Sequence, residues 1–332
     1  MPASSEREPT TGVLAVEPFT EIELPLRDRR DGKVRISYML DASTRLFVTT
    51  DRLSAFDRVL AGVPYKGQVL NQLSAWWFER TVDLVPNHSV STPDPNVLVA
   101  LAAHPLPVEV IVRGFITGVT DTSLWQRYAT GARVVDGHRL PDGLAKNTEL
   151  PTPIVTPTTK GEAGTHDVPL SCADVVDRRL VERALWDDVM AVALAVFARG
   201  QQVAADAGLI LADTKYEFGL DASGTLMLID EVHTPDSSRF WVADGYEDRL
   251  ADGAEPESLD KEVVRRAYAD AGYRGDGPPP DVGDGIWTAT SDRYIDAYRR
   301  LTGRAFEPGG YPVESRIRHW LDTHPRDTAR KP

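Results

Sequence analysis

Residues 208–241 read GLILADTKYEFGLDASGTLMLIDEVHTPDSSRFW, and the rest of the fold is expected to be organised around them. From Ile210 onward apolar and charged residues alternate. Alternation of this kind predicts a strand, because successive side chains of a strand point to opposite faces of its sheet. Three ionisable residues, Asp213, Lys215 and Glu217, fall on one of those faces. The pattern therefore predicts a strand with one strongly charged face.

A hairpin is predicted after this strand. Residues 221–224 have the composition of a turn, and the apolar residues that follow them form a returning strand. If Leu220 pairs with Thr225, Asp230 lies opposite Lys215 on the charged face. That register brings a fourth ionisable group to the same place.

Carboxylates grouped around a lysine on rigid strands suit a site for a nucleotide and its magnesium ion. Oxygen ligands bind the metal, and an ammonium group binds phosphates. The alternative is a solvated hairpin face whose charged side chains pair with one another. The segment 233–239 favours a site, because it combines turn residues, hydroxyls and Arg239 just past a strand end, where loops carry binding groups.

Composition limits the class of protein. The 332 residues, 42% hydrophobic and 26% charged, suit one large or two medium soluble domains. A formal charge of −13 argues against nucleic acid or an anionic membrane as a partner, since both require a basic surface. The single cysteine, Cys172, excludes an internal disulfide. No export signal is recognisable, and the longest apolar run, residues 189–198, is too short to cross a bilayer, so the expected location is the cytoplasm.

The N-terminal part predicts an antiparallel sheet. Residues 24–57 contain short strands joined by tight turns, and residues 68–80 follow with the periodicity of a helix. Gly32 precedes a strand from which Lys33 and Arg35 project to one side, and a basic hairpin tip of this kind can cover nucleotide phosphates. Polar residues expected to face a cleft are Asp51, Ser54 and Asp57.

Residues 108–114 predict a buried strand that ends in an arginine and a glycine. An arginine at a strand end is well placed to bind a carboxylate or phosphate with two hydrogen bonds, although a surface salt bridge explains Arg113 equally well.

Residues 150–170 are rich in proline, threonine and glycine, which is typical of a working loop. The chemical groups of this loop are Lys160, His166 and Asp167. The histidine and aspartate form either a structural hydrogen bond or a catalytic base.

Six motifs together resemble one enzyme family. They are GKVR (32–35), TDRLSAFD (50–57), KGQVLNQLSAWWFE (66–79), VEVIVRGFITG (108–118), LADTKYEFG (211–219) and DEVHTPDSSRFW (230–241). These motifs are similar to those of phosphoribosylaminoimidazole-succinocarboxamide synthase, the SAICAR synthetase family. The resemblance runs in order from about Gly32 to about Gly303.

The resemblance implies an α+β fold. An N-terminal antiparallel sheet resembling the small lobe of kinases would close over an ATP-grasp-like domain, with ATP between them. The implied division is a flexible tail at 1–20, the N-terminal β lobe at 21–107, the ATP-grasp-like domain with the substrate site at 108–322, and a flexible tail at 323–332.

The reaction implied by the resemblance joins L-aspartate to the carboxylate of 5-aminoimidazole-4-carboxylate ribonucleotide, with ATP and Mg²⁺. The catalytic residues would be Lys215, Glu217 and Asp230, of which Glu217 and Asp230 would hold the metal. ATP would contact Lys33, Arg35, Asp213, Lys215, Glu217 and Asp230. The other substrates would contact Asp51, Ser54, Asp57, Arg113, Thr120, Lys160, Asp236, Ser237, Ser238 and Arg239. The resemblance leaves open which arginine binds which anion, and the oligomeric state.

Two positions depart from the family pattern. Ile36 stands where the family usually has an acidic residue, and Val119 stands where it usually has a serine. Valine cannot donate a hydrogen bond to a phosphate, so Thr120 or Ser123 would supply the hydroxyl in a housekeeping enzyme. The alternatives are a paralogue that acts on a different azole carboxylate, a small-molecule kinase and a nucleotide-binding module without chemistry.

Overall fold

Two five-stranded antiparallel sheets form the framework of the protein. A computed structural model describes residues 16–160, 167–275 and 277–324. The strands are β1 (Arg27–Asp31), β2 (Arg35–Met39), β3 (Thr44–Thr49), β4 (Arg52–Ala55), β5 (Arg58–Gly62), β6 (Ser89–Asp94), β7 (Val97–Leu101), β8 (His104–Phe115), β9 (Val134–Val135), β10 (His138–Arg139), β11 (Glu149–Thr159), β12 (Leu209–Leu220), β13 (Leu226–Ile229) and β14 (Ser238–Val242). The helices are α1 (Lys66–Thr81), α2 (Leu124–Ala129), α3 (Cys172–Asp177), α4 (Arg183–Asp206), α5 (Tyr246–Ala251), α6 (Glu262–Asp270), α7 (Gly285–Thr302) and α8 (Val313–Thr323). The predicted α+β class is confirmed.

The first sheet has the strand order β1-β2-β3-β7-β6. Alternate residues of β2, Ile36 and Tyr38, are fully buried, as period-two patterning requires. They share an apolar cluster with Ile317 and Leu321 of α8, the last helix of the described chain. Ile36 therefore faces this core, which accounts for its departure from the family pattern.

The second sheet is built around β12. Strand β8 pairs with one edge of β12, while β13 and β14 share the other edge, and β11 pairs with the far side of β8. The sequence predicts a break at Pro105 and Pro107, but β8 runs through both residues. The prediction is wrong because these prolines precede Val108, where the paired register of β11 and β8 ends.

Helix α4 covers the second sheet with an apolar stripe. Its buried residues include Trp186, Val189, Ala193, Val196, Phe197 and Ala204, whose spacing follows the helical repeat. Ser171 and Asp174 form the capping box of α3, just upstream of α4. Helix α7 ends at Gly303, where φ is 67° and a residue without a Cβ is favoured.

A short segment joins the two sheets. Leu228 of β13 donates its main-chain N–H to the carbonyl of Pro86 at 2.9 Å and accepts from the N–H of His88 at 3.1 Å. The carbonyl of His88 then accepts from Leu101 of β7 at 2.8 Å. The main chain is thus hydrogen-bonded continuously from one sheet to the other.

The structure bears on two features of the predicted domain division. Strand β8 is continuous across the division at residues 107 and 108. Helix α8, which the division assigns to the second part, packs on the first sheet. In the part of the chain that the structure describes, no helix has the length and apolar character needed to cross a membrane.

Candidate active site

The charged face of β12 lies at the centre of a partly buried cluster of charged side chains. In the sheet, Glu217 is the direct neighbour of Glu109 on β8, an arrangement of like charges that is unfavourable on its own. Lys215 compensates for it, because its ammonium group contacts both carboxylates at 2.8 Å. The ammonium group of Lys160 contacts the second oxygen of Glu217. Two lysines and two carboxylates therefore meet at this point of the sheet.

Asp230 joins this cluster by a route that differs from the predicted hairpin register. Leu220 pairs with Leu226, not Thr225, so the strand places Ile229 opposite Glu217. The predicted pairing is wrong because the turn is one residue longer. Strand β13 ends at Ile229, and Asp230 adopts a left-handed conformation with φ of 67°. Its carboxylate thereby contacts the guanidinium of Arg35, from β2 of the first sheet, at 2.5 Å.

The two carboxylates of the cluster, Glu217 and Asp230, have pKa values shifted in opposite directions. Burial and the nearby charge of Glu217 raise the pKa of Asp230 to about 6, although Arg35 acts in the opposite direction. Burial also opposes ionisation of Glu217, but the ammonium groups of Lys215 and Lys160 hold its pKa well below the usual range. The repulsion that the charge of Glu217 exerts on ionised Asp230 favours the arrival of a further cation.

A second group of charges lies on the neighbouring strands. Asp213 is the cross-strand neighbour of Arg113 on β8 and of Arg239 on β14. Its carboxylate contacts the two guanidinium groups at 3.4 and 2.5 Å, respectively. Arg239 also contacts Glu262 of α6 at 3.2 Å, and Arg113 donates to the hydroxyl of Thr156 at 2.9 Å. Two arginines held by one shared carboxylate are suited to bind an additional anion.

The predicted substrate residues of the segment 236–238 make contacts within the protein. Asp236 accepts from the fully buried ammonium group of Lys66 at 2.9 Å and from the hydroxyl of Tyr294 at 2.7 Å. Ser237 accepts from the main chain of Thr234 at 3.1 Å. The hydroxyl of Ser238 contacts Thr214 at 2.8 Å. These contacts fix the shape of the loop that carries Arg239.

Other predicted substrate residues belong to the framework of the first sheet. Asp51 is fully buried and accepts from the main chain of Phe19 and Gly67 at 2.8 and 2.9 Å. It also accepts from the hydroxyl of Tyr311 at 2.7 Å. These three hydrogen bonds give Asp51 a structural role that its sequence position does not reveal.

The remaining predicted residues are spread over loops and turns. Lys33 contacts Asp57 at 2.6 Å, with both side chains exposed. Ser54 is buried in β4, and the carbonyl of Thr120 accepts from the main chain of Ser123 at 2.9 Å. His166 lies outside the described residues.

Val119 is half-buried and lines a cavity of about 580 Å³ together with Gln126 and Arg266. Ser123, one of the two residues expected to replace the missing serine hydroxyl, is the N-cap of α2, and its side chain accepts from the main chain of Gln126 at 3.4 Å.

Sequence reasoning missed several charged residues at the cluster. Glu109 is the only charged residue between Val108 and Val112, which is the signal that could have found it. Lys261 lies just before α6, and no pattern in the sequence around it indicates a functional residue. Burial lowers its pKa to about 8, and the charged groups around it are Asp236, Arg265, Lys66 and Glu231.

The carboxylates of the site fit magnesium only if a bound substrate supplies further ligands to the ion. Among residues 16–160, 167–275 and 277–324, no group of three or more acids, histidines or cysteines is arranged to hold a metal by itself. Magnesium is commonly held by one or two carboxylates together with substrate phosphates, and Glu217 and Asp230 match that requirement. The pair therefore fits a metal that arrives with a nucleotide.

These features define a class of protein. Partly buried lysines, arginines and carboxylates near the junction of two antiparallel sheets are typical of an enzyme that binds several anionic substrates together. The model of the SAICAR synthetase family matches residues 28–279.

A phosphoribosylaminoimidazole-succinocarboxamide synthase of Legionella pneumophila is 47% identical over 91% of this chain and 98% of the relative. The structure of the SAICAR synthase from Saccharomyces cerevisiae complexed with SAICAR aligns with a TM-score of 0.74 and 33% identity, covering 87% of this chain and all of that one. A type-2 SAICAR synthetase in complex with ADP aligns with a TM-score of 0.64 and 25% identity, covering 85% of this chain and all of that one. The chain belongs to the SAICAR synthetase family, which confirms the resemblance.

Proposed function

We propose that this chain uses ATP to join L-aspartate to the carboxylate of 5-aminoimidazole-4-carboxylate ribonucleotide, as a ligase of purine biosynthesis. The observation that carries this proposal is the cluster of Lys215, Glu217 and Asp230 in contact with Arg35 of the other sheet. Membership of the family and the similarity to an ADP complex support the same reaction.

The chemistry requires activation, because a carboxylate is a poor electrophile. One oxygen of the imidazole carboxylate attacks the γ-phosphorus of ATP, and the bond from that phosphorus to ADP breaks. The aspartate nitrogen then attacks the acyl carbon of the acyl phosphate and loses a proton, while the carbon–oxygen bond to phosphate breaks. The products are the amide, ADP and phosphate. The protein contributes mainly placement and neutralisation of charge.

The residue roles follow from charge and position. Lys215, Lys160 and Arg35 are proposed to bind phosphate oxygens, since their cationic groups meet at the cluster. Glu217 and Asp230 are proposed to hold Mg²⁺. When bound, the metal would neutralise phosphate charge during transfer. Asp213 is proposed to orient the two arginines that flank it and not to contact ATP itself.

The anionic ribonucleotide and aspartate are proposed to bind at the second group of charges. Arg113 and Arg239 supply guanidinium groups for bidentate contacts, and Lys261 supplies an ammonium group beside Asp236. Asp236, Ser237 and Ser238 are proposed to shape this subsite through their contacts within the protein.

The two sheets are proposed to act as the two halves of a nucleotide cleft. The part from residue 21 to 107 would cover ATP in the manner of a kinase small lobe, and the part from 108 to 322 would serve as an ATP-grasp-like base. The contact between Arg35 and Asp230 supports this arrangement, because it joins the two sheets at the charged cluster. Lys33 is proposed to cover phosphates from the exposed turn.

A turnover assay tests the function. ADP release should require both the imidazole carboxylate ribonucleotide and aspartate, whereas a small-molecule kinase would release ADP without aspartate. A binding module would bind ATP without releasing ADP. A paralogue for another azole would bind ATP and fail with the purine intermediate. Release of ADP with both substrates, and not with either alone, supports the ligase.

A further inference from the structure

Lys66 is a fully buried lysine to which the proposed reaction assigns no role. It is the first residue of α1, and its two neighbours in the chain are hydrogen-bonded to the framework of the first sheet. The main-chain N–H of Gly67 donates to the carboxylate of Asp51 at 2.9 Å. The main-chain N–H of Tyr65 donates to the hydroxyl of Tyr311 at 3.0 Å. These contacts fix the point from which the side chain of Lys66 extends.

The ammonium group of Lys66 binds the loop that carries Arg239. It donates to Oδ2 of Asp236 at 2.9 Å, and the hydroxyl of Tyr294 donates to Oδ1 of the same carboxylate at 2.7 Å. Burial and the charge of Asp236 raise the pKa of Tyr294 well above its usual value, so its hydroxyl remains a donor. Each oxygen of this buried carboxylate therefore has a donor.

Lys261 lies beside the same loop. Its main-chain N–H donates to the carbonyl of Pro235 at 3.3 Å, which places the start of α6 next to Asp236. Its half-buried ammonium group has no hydrogen bond or ion pair within the part of the chain that the structure describes. An ammonium group in this state is suited to bind an anion that arrives with a substrate. The charged groups that face it are those of Asp236, Arg265, Lys66 and Glu231.

Asp236 is the acid that could neutralise Lys261. Burial opposes its ionisation, but the charges of Lys261 and Lys66 hold its pKa well below the usual range, so it is a carboxylate. A buried carboxylate that loses a donor is costly, and it is stabilised by pairing with another cation nearby. Lys66 and Tyr294 prevent this pairing, because they already satisfy both oxygens.

We propose that Lys66 is a positioning residue, which binds Asp236 and thereby keeps the ammonium group of Lys261 free for an anionic group of the substrate. The inference rests on the proposed function, which places Lys261 in the subsite for the ribonucleotide and aspartate. It connects the start of α1 to substrate affinity in the second sheet. A purely structural role of Lys66 would change stability and leave the ionisation of Lys261 unaltered.

The test compares variants that remove the donors of Asp236. Lys66→Met keeps most of the length of the side chain and removes its charge. Tyr294→Phe removes the other donor and provides a second variant in case Lys66→Met does not fold. The double variant Lys66→Met, Asp236→Asn lacks both charges of the buried pair, so Lys261 has no carboxylate to join.

Arg316→Met is the matched control. Arg316 contacts Asp94 at 2.9 Å in a partly buried ion pair between α8 and the first sheet. Its loss removes an ion pair of similar kind away from the charged subsites, so stability should fall and substrate affinity should not change.

The first readout is the pKa of Lys261, measured from the pH dependence of its reductive methylation by peptide mass spectrometry. In Lys66→Met the midpoint should move up by about one pH unit, because a new ion pair with Asp236 favours the ammonium form. Loss of the neighbouring charge of Lys66 acts in the same direction. Tyr294→Phe should give a smaller rise. The double variant should return toward the wild-type midpoint, and Arg316→Met should match it.

The second readout is kinetic. At pH 7, Lys66→Met should raise the KM of the ribonucleotide or of aspartate by about tenfold, as expected for loss of one charge-assisted hydrogen bond. The KM for ATP should stay constant. The double variant should recover most of the lost affinity, because Lys261 is free again.

An unchanged labelling midpoint of Lys261 in whichever of Lys66→Met and Tyr294→Phe folds would overturn the proposal. A change that the double variant does not reverse, or that Arg316→Met reproduces, would also overturn it in favour of a structural role. A midpoint that moves while the KM values of both substrates stay constant would refute the link to substrate. Failure of the wild type to release ADP with both substrates would refute the proposed function, whereas the labelling of Lys261 tests Lys66 without turnover.

Discussion

At the scale of single residues, Asp230 shows how the surroundings of a carboxyl group change its pKa. It is half-buried, it lies near Glu217, and it contacts Arg35. Asp230→Asn keeps its size and removes its charge. We expect turnover to fall by roughly a hundredfold or more, because preorganised charge at a reacting phosphate is lost. Near-normal kcat at saturating Mg²⁺ would contradict this role.

Arg239 lies at the other end of the charged network, between Asp213 and Glu262. Arg239→Ala should raise the KM for the ribonucleotide or for aspartate by about tenfold, which corresponds to one charge-assisted hydrogen bond. The KM for ATP should stay constant. Arg300→Ala is the control, because Arg300 forms an exposed pair with Asp296 on α7. A change confined to the KM for ATP would show that Arg239 has another role.

Lys261 provides a prediction about pH. Burial lowers its pKa to about 8, so the ammonium form, which binds anions, is lost as pH rises through that value. The affinity for an anionic substrate should therefore fall between about pH 7 and pH 9 in the wild type. Lys261→Arg remains charged over this range and should show a flatter profile. Identical pH profiles of KM for the wild type and Lys261→Arg would show that the charge of Lys261 does not contribute to substrate binding.

At the scale of elements, Gly200 sets the distance between α4 and the loop below it. A Cβ at this position would lie 2.2 Å from Cε1 of His233 and 2.7 Å from Cδ2 of Leu211. His233 cannot move freely, because it is fully buried and its ring bonds to the hydroxyl of Tyr216.

We expect Gly200→Ala to lower the free energy of unfolding by about 1–3 kcal/mol, the usual cost of overpacking. Gly285→Ala in α7, where a Cβ would meet nothing within 4 Å, should leave stability unchanged or raise it by up to about 1 kcal/mol. Urea denaturation of both variants measures the difference. Equal free energies of unfolding for the two variants would mean that α4 moves to accommodate the added methyl group without loss of stability.

Patterns within one element were predictable from the sequence. The alternation along β12 and the glycine that ends α7 depend on neighbouring residues only. The register of the hairpin was not predictable, because a turn one residue longer keeps the same composition and reverses the face of every residue after it. Asp230 reaches the cluster through a left-handed φ, which local pattern does not indicate.

At the scale of the whole molecule, the site exists only where the two sheets meet. Arg35 and Asp230 are separated by 195 positions, so no local pattern could show that they touch. Contacts between distant parts also include the hydrogen bond that Asp51, which is predicted to bind substrate, accepts from the hydroxyl of Tyr311. The formal charge of −13 makes the local group of lysines and arginines an exception that the average composition hides.

We propose that this cluster activates the imidazole carboxylate by phosphoryl transfer. The most direct test supplies the ribonucleotide with ¹⁸O in both oxygens of its carboxylate, together with ATP and aspartate, and analyses the phosphate released by mass spectrometry. We predict one ¹⁸O atom in each phosphate and one retained in the amide product. If the amide forms at the normal rate but the released phosphate carries no ¹⁸O, the carboxylate is not phosphorylated and the proposed mechanism is wrong.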